Sequence, residues 1–229
     1  MHDQPAQWIL MVFVIPVWLL AGVADWICHR AADIGHTAGA KESLIHLLMF
    51  AEVGVPVLAG LFLEINALVL AVMLIAFLAH EATALWDVRY ASSRRVVGPI
   101  EQHVHSFLEL VPLMAIVLAA VAHWPQCLAL FGGGNEAADW SLRRKEPPLP
   151  ASYLLAVLAS ITLLEIVPFV EELLRGWREG GRKLVPRPQH DHAAGSNLRR
   201  PRPDRRDPAA LSPAPTPRPR ARPPPAPRR

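Results

Sequence analysis

The sequence predicts an all-α integral membrane bundle of about five spans, followed by a disordered C-terminal tail. Three observations carry this expectation. Five long apolar runs alternate with short polar connections, Trp8, Trp26, Trp86 and Trp124 stand near the ends of those runs, and the composition changes abruptly near Gly176. Residues 1–175 are therefore expected to form the bundle and residues 176–229 the tail.

The first run, 8–24, follows "MHDQPAQ", which has no basic n-region and so does not read as a secretory signal. The second and third runs, 44–63 and 65–85, are joined by a connection too short for anything but a tight turn. The fourth, 107–122, is entered through "PIEQHVHSFLELVP", and the fifth is 153–170. Pro16, Pro56, Pro112 and Pro168 interrupt the runs, which membrane helices tolerate when neighbours supply substitute hydrogen bonds. The tail is built from Arg, Pro, Ala and small polar residues, which bury too little apolar area to offset chain entropy. It holds fourteen of the 23 Lys and Arg, so the high pI belongs to it and the body carries more acid than base. It lacks a folded reader module and a run of stacking aromatics, so it reads as a solvated tail touching membrane lipids and not as a nucleic-acid binder. Cys28 and Cys127 are too few and too far apart for a disulfide framework.

Basic residues orient the bundle. Arg30 and Lys41 follow the first run, Arg89, Arg94 and Arg95 follow the third, and the tail follows the fifth. With five spans these lie on one side, which the positive-inside rule makes cytoplasmic. The expectation is a bacterial inner-membrane protein with its N-terminus outside and its C-terminus inside. "SLRRKE" at 141–146 votes the other way, partly balanced by Glu136, Asp139 and Glu146.

On that side the ionisable residues gather. Asp25 and His29 close the first run, Glu42 and His46 open the second, His80 and Asp87 close the third, and Glu101 and His105 open the fourth. Residues i and i+4 of a helix lie about 40° apart, so Asp25/His29, Glu42/His46 and Glu101/His105 each share a face. His80 and Asp87, seven apart, are roughly 20° from alignment, and Glu109 lies about 80° round from Glu101. An ionisable group at that depth costs roughly 2–3 kcal/mol or more unless something satisfies it. The eight residues are read as ligands to a shared metal centre, following the logic of carboxylate-bridged di-iron bundles. Oxygen and imidazole donors without thiolate suit iron, manganese or zinc. More than three ligands exceed a single catalytic zinc, so two iron ions are expected, with zinc as the alternative. Glu52 and Glu109, deeper in the bundle, are the candidate catalytic residues, and Glu52 is read as a ligand or a proton carrier. His36, Glu81 and His103 are possible additional ligands. Glu171 and Glu172 read as interfacial charges, and Glu165 as a buried acid with a structural partner.

The arrangement resembles the integral-membrane non-haem di-iron hydroxylases and desaturases, over roughly residues 25–109. That family's histidine boxes are of the HxxxH and HxxHH kind. Here "HRAADIGH", "HE" and "HVH" stand instead, with carboxylates in place of several histidines. The resemblance implies O2-dependent oxidation of a lipid or other hydrophobic substrate arriving from the bilayer, with a cytoplasmic electron donor. A zinc-dependent membrane hydrolase, a b-type haem electron carrier and a non-catalytic protein with a structural polar network remain as alternatives.

Overall fold

Inside a membrane the backbone finds no partner but itself, so the apolar runs become helices. The computed structural model describes residues 5–185. In chain order its helices are α1 (Pro5–Ala31), α2 (Ala40–Phe62), α3 (Ala67–Ser92), α4 (Pro99–Ala122), α5 (Trp124–Leu130) and α6 (Ala151–Glu179). All but α5 are long and apolar enough to cross a membrane. Among the described residues there is no strand, only one isolated bridge between Leu63 and Arg144. The fold is an all-α membrane bundle.

Every span runs further than its apolar stretch, and the large extensions share one end. α1 continues to Ala31, α3 to Ser92 and α6 to Glu179, while α2 starts at Ala40 and α4 at Pro99. Hydropathy stops at the first polar residues, but those residues face inward and the helix continues beneath them. Residues 186–229, most of the expected tail, lie outside the described residues. The short α5 is additional to the expected elements. His123, at φ −120° and ψ 43°, turns the chain, and Pro125 fits the first turn of the helix that follows.

Two of the four prolines coincide with widened turns. Leu10–Val14 and Thr162–Ile166 form π turns, where Ile15 N–H bonds Leu10 O and Val167 N–H bonds Thr162 O, just before Pro16 and Pro168. A π turn absorbs an i→i+4 bond that proline cannot make. The second also turns Glu165 into the interior, where it is 2% exposed.

α2 packs against α3 and α6, and α1 against α4. The apolar core between α1, α2, α4 and α6 contains Trp18, Leu19, Val53, Val111 and Ile161. Large apolar side chains such as Leu20, Ile75 and Leu155 are about two-thirds exposed, as lipid-facing residues of a bundle are. Close approaches occur at glycines. A Cβ on Gly22 would run into the Glu165 carboxylate, and one on Gly176 would lie 3.1 Å from Ala40 N, so α6 sits tight against α1 and α2. The loop between α1 and α2 is anchored by Tyr90, whose hydroxyl donates to Ala38 O at 2.7 Å. Gly39, at φ 75°, takes the left-handed turn that starts α2.

Candidate metal centre

Five helix ends converge at one end of the bundle. α1 brings Asp25 and His29, α2 Glu42 and His46, α3 Asp87, α4 Glu101 and His105, and α6 Glu165 and Glu172. Asp25, His29, Glu42 and Glu172 are fully buried. Six carboxylates are thus out of water, facing one buried guanidinium, that of Arg95, whose side chain is 3% exposed. So much negative charge in a low-dielectric site demands cations.

Asp25 is the hub. Its Oδ1 lies 3.0 Å from His105 Nε2, and its Oδ2 lies 3.5 Å from His46 Nε2 and 3.6 Å from His29 Nε2. His46 Nε2 is also 3.6 Å from Asp87 Oδ2. These are ion-pair distances, yet the groups are out of line for hydrogen bonds. Both Asp25 oxygens, both His29 nitrogens and His105 Nε2 have no hydrogen-bond partner. Leaving one buried polar group unpaired costs about 1–3 kcal/mol, so five together need an explanation. Ligands about 2.0–2.1 Å from a shared tetrahedral ion stand roughly 3.3 Å apart, close to the spacings around Asp25. One donor atom from each of Asp25, His29, His46 and His105 lies within 4.8 Å of all the others. Orientation is also prepared. His46 Nδ1 bonds Glu42 O at 2.9 Å, which presents Nε2 to the cluster, and the His46 ring stacks on Phe169.

Beside this group lies a second one, His29, Glu42 and Glu101. Arg95 engages both carboxylates. Its Nη2 donates to Glu42 Oε1 at 2.5 Å and to Glu101 Oε1, and its Nη1 donates to Glu101 Oε2 at 2.8 Å. Burial works against the guanidinium's charge, but the bonds to Glu101 and Glu42 outweigh it and hold its pKa above the ordinary value. Behind His29, Nδ1 faces Glu172 Oε2 at 3.3 Å, while Glu172 Oε1 accepts from Ser43 Oγ at 2.9 Å. Each imidazole nitrogen of His29 therefore looks at a carboxylate.

The other expected residues lie around this centre. His80 is buried with neither nitrogen hydrogen-bonded, and it belongs to neither group. It lines a cavity of about 70 Å³ together with Asp25, His46, Asp87, His105 and Glu109. Glu52 accepts from Thr83 Oγ1 at 2.9 Å and lines a larger apolar cavity of about 530 Å³. Trp18 and Val53 line both cavities. No family model, no curated protein and no solved structure matches this chain. Its chemistry is read from its own geometry.

Of the possible additional ligands, His36 turns outward and hydrogen-bonds Asp33 at 3.1 Å. That bond raises its pKa. His103 is exposed and packs edge-on against Phe107, and Glu81 belongs to neither group. The residues that sequence reasoning missed are Glu172 and Arg95, with Ser43 in support. For Glu172 a signal existed. Glu165, Phe169, Glu172 and Gly176 recur at spacings of four, three and four, the stripe of a helix face turned inward. For Arg95 there was none, because it lies in a basic loop that reads as an orientation signal.

Proposed function

We propose that this protein is a membrane-embedded, non-haem metal oxidoreductase that acts with O2 on a lipid or other hydrophobic substrate. The supporting observation is the set of buried, unpartnered donors around Asp25, spaced as a coordination shell is spaced. The primary ion would be held by Asp25, His46 and His105, with His29 and Asp87 beside it. Two imidazoles and a carboxylate are the donor set of mononuclear iron oxygenases, and iron is the metal proposed. The second iron expected from the sequence would fall at Glu42 and Glu101, where Arg95 now sits.

When bound, iron supplies the one-electron chemistry that lets O2 attack an unactivated C–H bond. In a hydroxylation, O2 takes four electrons, two from the C–H bond and two from a donor. One oxygen enters the substrate and the other leaves as water, consuming two protons. The protein provides what surrounds that chemistry. The 530 Å³ cavity is of a size for one small hydrophobic molecule, and Trp18 and Val53 form its wall toward the cluster. Glu52, oriented by Thr83, is a carboxyl group that lines that cavity and can hold a proton there. Glu109 serves the smaller cavity in the same way. Arg30, Lys41, Arg89, Arg94 and Arg95 lie at the cluster's end of the bundle, and by the positive-inside rule they support the reading of a cytoplasmic site in a bacterial inner membrane, within reach of a soluble electron donor.

A second reading is kept because three imidazoles and one carboxylate also suit a tetrahedral zinc, and with it hydrolysis. One experiment separates these readings. Elemental analysis and an optical spectrum of anaerobically purified protein should show iron without a haem band, and His46→Ala and His105→Ala should each lose it while His123→Ala does not. Stoichiometric zinc would favour the hydrolase. No metal at all would reduce the cluster to a polar network.

A further inference from the structure

We infer that Arg95 is the resident cation of a second ion site formed by His29, Glu42 and Glu101, and that its guanidinium limits the centre to one metal ion. The inference rests on the metal reading above and goes beyond it to the number of ions.

Two carboxylates and an imidazole meet at this place. His29 Nε2 stands 3.9 Å from Glu42 Oε1 and 3.7 Å from Glu101 Oε1, with no hydrogen-bond partner of its own. Without the arginine these three groups would be a donor set for a divalent cation, next to the first site and sharing His29 with it. The guanidinium fills the same position. Its Nη2 reaches Glu42 Oε1 and Glu101 Oε1, the same two oxygens that face His29 Nε2. Nε adds contacts to Glu42 at 3.2 and 3.3 Å. An ion and these N–H groups cannot use the same lone pairs, so the two occupants exclude one another.

Arginine suits this role. Its planar fork bridges two carboxylates, and it keeps its charge at any pH the protein meets. The backbone delivers it on purpose. Arg94 and Arg95 both bond Ala91 O through N–H at 2.9 Å just past the end of α3, yet their side chains part. Arg94 lies over the outer face of Tyr90, 5.6 Å from its ring centre, while Arg95 turns inward. The result is a fixed positive charge where a dinuclear centre would carry its second ion.

The test is metal stoichiometry on the full-length protein in detergent, loaded anaerobically with Fe(II) and separately with Zn(II), then freed of excess. Wild type should hold one ion per chain, Arg95→Gln two, and Arg95→Lys one, because lysine restores the charge. Because Arg95→Gln leaves two buried carboxylates without their cation, Glu101→Gln serves as a second variant. It alters a group that faces the guanidinium, so it should retain one ion. Two ions in wild type, one in folded Arg95→Gln, or loss of the ion in Glu101→Gln would each overturn the inference while leaving a metal protein. No ion in wild type would overturn the metal reading itself, and this inference with it.

Discussion

Glu172 and Glu171 are neighbours in sequence and opposites in environment, and replacing each in turn tests the site sharply. Glu172 is fully buried, accepts from Ser43 at 2.9 Å and lies 3.3 Å from His29 Nδ1. Glu171 is 44% exposed and pairs with Arg30 at 2.9 Å. Glu172→Gln keeps an oxygen for Ser43 but removes the charge that steadies His29 with Nε2 toward the cluster. Loss of such an outer partner typically weakens metal binding about 10–100-fold, which is about 1.4–2.7 kcal/mol. Glu172→Ala goes further. It also leaves Ser43 Oγ buried without its acceptor, at about 1–3 kcal/mol, and removes the carboxylate 3.3 Å from His29 Nδ1 altogether. Glu171→Gln removes only its ion pairs with Arg30 and Arg175 at the surface, each worth about 0–1 kcal/mol, and should leave metal affinity unchanged. The assay is competition with a chromogenic chelator on purified protein, alongside thermal unfolding in the same detergent. Equal affinity in Glu172→Gln and Glu171→Gln would refute the placement of Glu172 behind His29.

Two further expectations can be checked independently. Gly22→Ala drives a methyl group into the Glu165 carboxylate and should destabilise by about 1–3 kcal/mol, whereas Gly54, with nothing within 4 Å of an added Cβ, should gain up to about 1 kcal/mol as alanine. Comparing their melting temperatures decides the matter, and similar shifts in the two would count against the α1–α6 contact. For orientation, a reporter joined after Ala91 should read cytoplasmic and one at Gly133 external. A cytoplasmic reading at Gly133 would reverse the assignment of the cluster's side.

By itself the sequence determined the spans and the end at which the buried polar cluster lies. Hydropathy marks spans because the bilayer sets their length, and i,i+4 pairing marks a face because helix geometry is local. Asp25/His29, Glu42/His46 and Glu101/His105 were legible for that reason, and all six residues arrive at the buried cluster. Periodicity says which residues share a face, but not how far that face is rotated toward its neighbours. His80 and Asp87 share a helix face and neither joins a donor group, yet Asp87 lies 3.6 Å from His46 Nε2 while His80 has no hydrogen-bond partner. The stripe of Glu165, Phe169, Glu172 and Gly176 puts Glu172 and not Glu171 on one inward face, but the close approaches at Gly22 and Gly176 decide that this face meets α1 and α2. Arg95 is the clearest case. Its loop counts as positive charge beside a membrane, and only the packing of α3 against both α2 and α4 brings Glu42 and Glu101 close enough to draw that charge inside. Which groups neutralise one another is a matter of distances between helices, and tertiary structure alone sets those.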